Sequence, residues 1–321
     1  MIGISRTIVL HPGALGDVLL AIPALRALRA QTSAGELVLA AQPRIGRLLT
    51  KLALVDRHVD FDALGVDSLF SDGPASEKLR RLVDGSRVVS WFGSKDPDFT
   101  RRLSTLAADV TVASTIPPTG ATVWQHLVSS VASVADPWRE PIAVPQSIEA
   151  EGLRVLAEVG WTGERPLLML HPGAGGPAKR WPVTGFAEVA GRIVGALGAD
   201  VVVHDGPADH DAVAELRGRL SVRTMSLVEP PLENLAGGMR HAALWLGNDS
   251  GVSHLAAAVG APTFLLFAEE NLAWRPWARH ARVRVVAMGA PSRVDVDVVI
   301  ADAIDLVQAG ESRATRIEVR G

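Results

Sequence analysis

The chain has 321 residues, 48% of them hydrophobic and 21% charged, with a formal net charge of −3 at pH 7. That length and composition provide for one large or two medium domains with buried cores, and we expect two. Neither half is strongly basic, which argues against a nucleic-acid partner, and the absence of cysteine excludes disulfides, thiolate zinc sites and thiol nucleophiles.

The N-terminal residues do not follow the basic-then-apolar pattern of a secretion signal, because His11 and Pro12 interrupt the apolar run. The longest stretch without charged or strongly polar residues, 255–268, is too short to cross a bilayer. We therefore expect a cytoplasmic protein whose membrane contact, if any, is peripheral and at the inner face of the cytoplasmic membrane.

The first element is a short β-branched strand at residues 7–10, followed by the Gly-containing turn HPGALGD at residues 11–17. An amphipathic helix is predicted at residues 18–30. Asp17 stands at the start of that helix, where an N-cap role by itself would account for it.

Further strands are predicted at residues 37–41, 57–61 and 87–92, with helical segments between them. This alternation indicates a mostly parallel, doubly wound sheet. The polar loop at residues 93–102 follows the carboxyl end of a strand, which makes it a candidate acceptor surface, although a run of charges is more often only a solvated face.

A Pro-rich stretch at residues 136–145 has no usable period and is typical of an interdomain linker. It places an N-terminal domain at residues 1–145, a linker or hinge at 146–165 and a C-terminal domain at 166–321. A helix is expected within the hinge, at residues 149–159.

The C-terminal domain opens with a strand at residues 166–170 that leads into HPGAGGPAKRWP at residues 171–182. Its glycines, Gly173, Gly175 and Gly176, allow the backbone to approach a ligand, and Lys179 would bring a positive charge to a diphosphate. The loop has neither the Walker A order nor the GxGxxG order, so by itself it is a weak signal.

A second polar turn lies between a strand predicted at residues 244–246 and another at 263–267. Gly247 and Gly251 permit a sharp bend, and Asp249 and Ser250 are expected to cap a helix that runs to residue 259. The unpaired backbone N–H groups at that helix start suit an anionic ligand. Such a turn is also common where only capping is needed, but the stretch from Asn248 to His254 brings together more polar groups than capping requires.

These stretches resemble the signatures of glycosyltransferase family 9, the ADP-heptose:lipopolysaccharide heptosyltransferases. The resemblance is carried by GDVLLAIPALRALRA at residues 16–30, the Lys179 loop at 171–182, NDSGVSHLAAAVGAP at 248–262 and WRPW at 274–277. It implies a GT-B fold, an α/β architecture in which two Rossmann-like, doubly wound domains face a central cleft. The N-terminal domain would bind the acceptor and the C-terminal domain the donor.

The resemblance also implies an inverting, metal-independent sugar transfer, most simply of heptose from ADP-heptose to an acceptor hydroxyl of lipopolysaccharide core or a related glycoconjugate. No cofactor is expected beside this nucleotide-sugar co-substrate, and the protein is expected to act as a monomer. The implied catalytic residues are Asp17, as general base facing the cleft, and Lys179. The implied donor-binding residues are Gly16, Gly173, Gly175, Gly176, Lys179, Asp209, Asn248, Asp249, Ser250, Gly251 and His254.

Asp209 takes the place of the acidic residue that binds the nucleotide ribose in the family. It is shorter than the common Glu, and Asp205 stands where the family has a small residue. The identity of the donor therefore stays open, as do the sugar and the acceptor.

Other chemistries have weaker support. The D-x-D pairs at residues 60–62 and 295–297 lie where Asp is ordinary, at a strand end and before a helix, so no metal site is expected. Neither HExxH nor GxSxG is present. Two alternatives remain: a nucleotide-sugar epimerase of the same fold, and a non-catalytic nucleotide-sugar-binding module, which would not need Asp17.

Overall fold

The computed structural model describes residues 6–32 and 35–318, with side chains up to residue 308. It divides into two compact units, Met1–Glu140 and Pro141–Gly321. The division falls inside the predicted linker at 136–145. Residues 146–158 of the predicted hinge form a helix of the second unit, and a hinge function for residues 146–165 stays a prediction.

The first unit contains a five-stranded sheet in the order β3-β2-β1-β4-β5, and every pairing is parallel. Its strands are β1 (Arg6–Leu10), β2 (Glu36–Ala41), β3 (Arg57–Asp60), β4 (Arg87–Ser90) and β5 (Asp109–Val112), and its helices are α1 (Leu15–Leu20), α2 (Ile22–Gln31), α3 (Pro43–Lys51), α4 (Glu77–Val83), α5 (Pro97–Ser104) and α6 (Val123–Ser130). The central strand β1 is buried from Thr7 onward, as expected for a parallel strand covered on both faces.

Two predictions for this unit were wrong in detail. The helix predicted at residues 18–30 is two helices, which meet at Ala21, because Pro23 has no N–H to donate to the preceding turn. The loop predicted at residues 93–102 becomes helical at Pro97, because the Asp96 carboxylate caps the first turn, accepting the amides of Asp98 and Phe99 at 2.8 and 3.3 Å.

The second unit contains a six-stranded sheet in the order β11-β10-β9-β6-β7-β8, again with every pairing parallel. Its strands are β6 (Leu167–His171), β7 (Asp200–Asp205), β8 (Thr224–Val228), β9 (Ala242–Asn248), β10 (Thr263–Phe267) and β11 (Arg282–Val285), and its helices are α7 (Gln146–Glu158), α8 (Val183–Leu197), α9 (His210–Arg219), α10 (Leu232–Met239), α11 (Gly251–Ala258) and α12 (Arg293–Glu318). One core joins the sheet to α8, α9 and α12 and includes the fully buried Trp181 and Phe186.

The C-terminal helix α12 continues to Glu318, through residues that are mostly good helix formers. None of the helices within the described ranges has the length and apolar content needed to cross a membrane.

Helices α7 and α10 pack so closely that only glycine fits between them. A Cβ on Gly152 would lie 2.0 Å from the backbone N of Gly238, and a Cβ on Gly237 would lie 2.0 Å from the carbonyl oxygen of Ile148. Because the obstructing atoms belong to backbone, neither contact can be relieved by a side-chain rotation.

We expect Gly152→Ala to lower the free energy of unfolding by about 1–3 kcal/mol, because the two helix backbones must separate to admit the new methyl group. The matched control is Gly191→Ala in α8, where nothing lies within 4 Å of the added Cβ. That change should be neutral or stabilise the protein by up to about 1 kcal/mol. Urea unfolding of the two variants is the measurement, and equal stabilities would contradict the packing argument.

Candidate functional site

The polar loops of the second unit meet at the middle of its sheet. Strands β6 and β9 are neighbours, with His171 paired to Gly247, so the loop at residues 171–182 and the turn at 248–251 leave the same edge side by side. The chain continues from β6 to β7 on one side, while β9 lies on the other side. In open α/β sheets this point, outside the carboxyl ends of the strands, is where ligands bind.

Asn248 fastens the two loops together. Its Oδ1 accepts the Trp181 amide at 3.1 Å, and its Nδ2 donates to the carbonyls of Pro172 and Gly173 at 2.8 and 3.4 Å. The residue is fully buried. Its amide therefore sets the conformation of the Gly-rich loop at both ends, and any part it has in donor binding would act through that loop.

Lys179, Asp249 and His254 form a charged group at this edge. The Lys179 Nζ lies 2.7 Å from Asp249 Oδ2, and His254 Nε2 lies 3.5 Å from Asp249 Oδ1. Burial by itself would raise the pKa of the Asp249 carboxyl, but its contacts with His254 and Lys179 outweigh burial and hold that pKa below its ordinary value. The group therefore contains an ionised carboxylate whose side chain is 5% exposed beside an ammonium whose side chain is 35% exposed.

Helix α11 is capped by Ser250 and not by Asp249. The prediction that both residues cap this helix was therefore right for Ser250 and wrong for Asp249. The Ser250 Oγ accepts the Ser253 amide at 3.3 Å, and Ser250 has the extended conformation of an N-cap. Asp249 precedes the cap and is turned instead toward Lys179. Gly251 is the first residue of the helix.

The three glycines of the loop differ in what requires them. A Cβ on Gly173 would lie 2.1 Å from Oδ1 of Asp209, so a side chain there would have to displace that carboxylate. Around Gly175 and Gly176 nothing lies within 4 Å of an added Cβ. Packing within the protein therefore does not explain the last two, and they leave an open approach to the backbone.

Asp209 is more buried than we expected of a residue that binds the ribose of a nucleotide. Its side chain is 12% exposed, with Arg180 Nη2 at 3.8 Å and His171 Nε2 at 4.0 Å. Burial raises the pKa of its carboxyl, and the Arg180 charge opposes that rise only in part. The carboxylate lies against Gly173, so Asp209 supports the Gly-rich loop from below. Binding of a ribose by Asp209 stays a prediction.

The sequence reasoning did not identify a buried histidine pair beneath this loop. His171 and His204 approach with their Nδ1 atoms 3.1 Å apart, which requires one ring to donate and the other to accept. Burial, and next the proximity of His204, lower the pKa of His171 well below its ordinary value. The sequence could have indicated this pair, because His171 is the last residue of β6 and His204 is the next-to-last residue of β7. The two strands are neighbours in the sheet.

In the first unit, Asp17 is the third residue of α1 and is half-buried. The N-cap is Ala14, which has no capping side chain, so the explanation of Asp17 as an N-cap is wrong. The carboxylate lies in the first helical turn, where the positive end of the helix dipole favours a negative charge. Gly16 precedes it within the same turn.

The turn that holds Asp17 is built around the buried side chain of His11. The His11 Nδ1 accepts the Gly13 amide at 3.3 Å, and a Cβ on Gly13 would lie 2.7 Å from His11 Cε1 and 3.0 Å from Asp17 Cβ. Burial lowers the pKa of His11 to about 4, against a smaller opposing effect of a hydrogen bond with the Asp17 backbone. A neutral imidazole therefore supports the turn.

The D-x-D pairs have local roles. The Asp60 carboxylate accepts the Asp62 amide at 3.1 Å, and Asp295 accepts the Ser292 hydroxyl at 2.7 Å. Within residues 6–32 and 35–318 no group of three or more His, Asp or Glu is placed to hold a metal ion. Metal-independent activity stays a prediction.

Comparison with known proteins identifies the family. The model of "Glycosyltransferase family 9 (heptosyltransferase)" matches residues 122–298. Lipopolysaccharide heptosyltransferase 2 of Salmonella typhimurium is 31% identical over 161 residues, which are 46% of this chain and 44% of that protein. The Escherichia coli protein of the same name is 30% identical over the same shares. The match thus spans less than half the length of these relatives.

Solved structures extend the similarity to nearly the whole fold. A family 9 glycosyl transferase from Veillonella parvula superposes with a TM-score of 0.75 at 18% identity, covering 95% of this chain and 97% of the other. The E. coli ADP-heptose lps heptosyltransferase II gives a TM-score of 0.73 at 20% identity, covering 95% and 99%. With the two parallel sheets, these matches confirm the predicted α/β fold of the GT-B class.

Because His11 is buried, we expect the stability of the first unit to depend on pH. Its folded pKa of about 4 lies below the unfolded value of 6.5, so the unfolded chain binds more protons between these values. The stability that depends on neutral His11 is therefore complete above about pH 6.5 and decreases by roughly 3 kcal/mol as the pH falls to about 4. Relative to wild type, His11→Gln should lose this part of the pH dependence.

Urea unfolding at several pH values in that window measures the effect, with the exposed His210→Gln as the control variant. Curves of stability against pH that run parallel for wild type and His11→Gln would show that His11 is not held neutral by the fold.

Proposed function

Since the chain belongs to glycosyltransferase family 9, we propose that it transfers a sugar from a nucleotide-sugar donor to an acceptor hydroxyl. The proposed donor is ADP-heptose and the proposed acceptor is lipopolysaccharide core or a related glycoconjugate, as the names of its relatives suggest. The reaction is proposed to take place in the cytoplasm and to be carried out by a monomer.

The observation that carries the proposal is the group formed by Lys179, Asp249 and the start of α11. Departure of a nucleoside diphosphate leaves negative charge that must be stabilised. The ammonium of Lys179 and the N–H groups that begin α11 supply positive charge at one sheet edge, next to the open backbone of Gly175 and Gly176. These groups are proposed to replace the metal ion that other transferases use.

Lys179 is paired with Asp249. We propose that the incoming diphosphate shares the ammonium, while Asp249, held by His254, keeps Lys179 in place. The side chain of Lys179 is thereby ordered before the donor binds, which reduces the entropy lost on binding.

The acceptor hydroxyl must lose its proton as it attacks the anomeric carbon. Asp17 is the proposed general base, since it is a half-buried carboxylate that is not needed as a helix cap. The new bond forms between the acceptor oxygen and the anomeric carbon, the bond to the diphosphate breaks, and the proton passes to Asp17. In-line attack of this kind inverts the anomeric centre.

The direct test is an assay of the purified protein with ADP-heptose and with lipopolysaccharide that lacks heptose, in the presence and absence of EDTA. Transfer that survives chelation is the expected result. Isomerised donor or free sugar formed without acceptor would instead support the epimerase, and donor binding without turnover would support the binding module.

Asp17→Asn should lower kcat by about 10²–10⁴, because an amide does not accept the proton. The affinity for donor should not change, and the melting temperature should fall by at most a few degrees, since Asp17 is not the cap of α1 and only its interaction with the helix dipole is lost. Asp72→Asn, at an exposed carboxylate of the same unit, is the matched control. Transfer at the wild-type rate by a normally folded Asp17→Asn would remove Asp17 from the catalytic step.

Lys179→Ala should weaken the binding of ADP by roughly 1.5–3 kcal/mol, because a charge-assisted contact is lost. Calorimetric titration with ADP measures the effect, and Lys78→Ala, an exposed lysine of the first unit, controls for net charge. An unchanged affinity would place the diphosphate elsewhere.

A further inference from the structure

Arg26 is a half-buried arginine of α2, the helix that follows the Asp17 helix α1. It belongs to the stretch at residues 16–30 but is not among the implied catalytic or donor-binding residues. Its Nη1 donates to the carbonyl of Trp138 at 3.1 Å and also to the carbonyl of Glu140. The guanidinium of Arg26 therefore binds the backbone at the end of the first unit.

The segment bound in this way is held to the first unit by other side chains as well. The Trp138 Nε1 donates to Ser133 Oγ at 3.2 Å. The Arg139 guanidinium lies over the ring of Trp124 in α6, 4.9 Å from its centroid, in a cation–π contact. The chain up to Glu140 is thus part of the first unit, where the division between the compact units also falls.

The next two residues are attached to the second unit. The Ile142 amide donates to the carbonyl of Ala258, the last residue of α11, at 2.8 Å, and Ile142 is buried. A Cβ on Gly260 would lie 3.0 Å from Pro141 Cβ, so Pro141 lies against the turn that follows α11. The attachment of the chain therefore changes from one unit to the other between Glu140 and Pro141.

Helix α7, which lies in the predicted hinge at residues 146–165, is also fixed to the second unit. The Arg240 Nε donates to Glu149 of α7 at 3.0 Å, and its Nη1 donates to the carbonyl of Val259 at 3.1 Å. Gly152 of α7 lies directly against the backbone of α10. A rotation within α7 would break these contacts, so this helix is poorly placed to act as a hinge.

Few backbone dihedrals are free to rotate where the attachment changes. The ring of Pro141 fixes its own φ, and a residue that precedes proline, here Glu140, is restricted to extended conformations. Release of the Trp138 and Glu140 carbonyls would free the preceding residues as well. The hydrogen bonds of Arg26 therefore determine how much of the connecting chain is able to rotate.

We propose that the two units turn about the connection between Glu140 and Pro141, and that Arg26 is a positioning residue that keeps this connection short and defined. The hinge is thereby placed before residues 146–165. The proposal rests on the transferase function proposed above, because Asp17 belongs to the first unit and Lys179 to the second. Transfer requires the base and the donor to be held in one defined arrangement.

The test replaces Arg26 by two residues of similar length. Arg26→Met removes the guanidinium and keeps an apolar stem, whereas Arg26→Lys keeps a positive donor that reaches fewer carbonyls. The matched control is Arg29→Met in the same helix, since the Arg29 guanidinium pairs with Asp56 of the same unit at 2.7 Å and not with the connecting segment. The melting temperature of each variant shows whether it is folded.

The chain has no cysteine, so introduced cysteines can be spin-labelled in pairs. Three exposed positions are suitable: Lys78→Cys in α4, Ala150→Cys in α7 and Glu188→Cys in α8. Pulsed EPR on the full chain then gives the distribution of each distance. We expect the 78–150 and 78–188 distributions to broaden in Arg26→Met, to recover in part in Arg26→Lys and to match wild type in Arg29→Met. The 150–188 distribution should be narrow throughout.

A 150–188 distribution as broad as the other two would place the hinge after α7 and overturn the proposal. Distributions in Arg26→Met that equal those of wild type would likewise show that Arg26 does not hold the connection.

In the transfer assay, kcat should fall on the order of tenfold in Arg26→Met and less in Arg26→Lys, because the base and the donor are less often aligned. The affinity for ADP and the melting temperature should match wild type, since the donor groups lie in the second unit. A wild-type kcat in Arg26→Met would overturn the positioning role. If wild type itself transfers no sugar, the transferase proposal fails, and the distance distributions alone decide where the hinge lies and whether Arg26 holds it.

Discussion

The hydrogen bonds of one buried amide hold the candidate donor site together. Asn248 ends β9, and its side chain binds the backbone of the Gly-rich loop at Pro172 and at Trp181, so that loop is held near both of its ends. The parallel pairing of β6 and β9 brings the amide within reach. Because Asn248 is fully buried, loss of its side chain would leave these backbone groups without partners.

The charges around this scaffold contribute little to stability. Lys179 and Asp249 form a pair in which the carboxylate is buried and the ammonium partly open to solvent, and removing a charge from water generally costs about as much as the pairing returns. Beneath the loop, Asp209 and the His171–His204 pair are buried polar groups in a region that apolar residues could have filled. Their presence is better explained by a requirement for a defined loop conformation.

In the first unit, too, the candidate residues lie at the carboxyl edge of the sheet, but their side chains differ in chemistry from those of the second unit. A neutral imidazole, a glycine and the indole of Trp91 replace the charged groups of the second unit, and together they fix the turn in which Asp17 stands. A rigid support of this kind suits the proposed function, in which the first unit orients a hydroxyl and Asp17 accepts its proton, while the second unit stabilises the departing anion.

The fold class could be predicted from the sequence alone, because central parallel strands are continuous apolar runs. The family and the loops of the candidate site were recognised by the resemblance of four stretches to family signatures, since a Gly-rich turn alone has several interpretations. The strand at residues 263–267 was predicted with the observed bounds. The edge strands β5, β8 and β11 were missed because each is short and only partly buried and carries little hydrophobic signal. The edge strand β3 was nevertheless predicted, at residues 57–61. The partners of the polar side chains became known from the three-dimensional packing. Asp249 pairs with Lys179 instead of capping α11, and Asn248 holds the Gly-rich loop. The N-cap of α1 is Ala14 and not Asp17. Such partnerships depend on contacts between residues distant in sequence, such as Lys179 and Asp249, and local sequence patterns do not encode them.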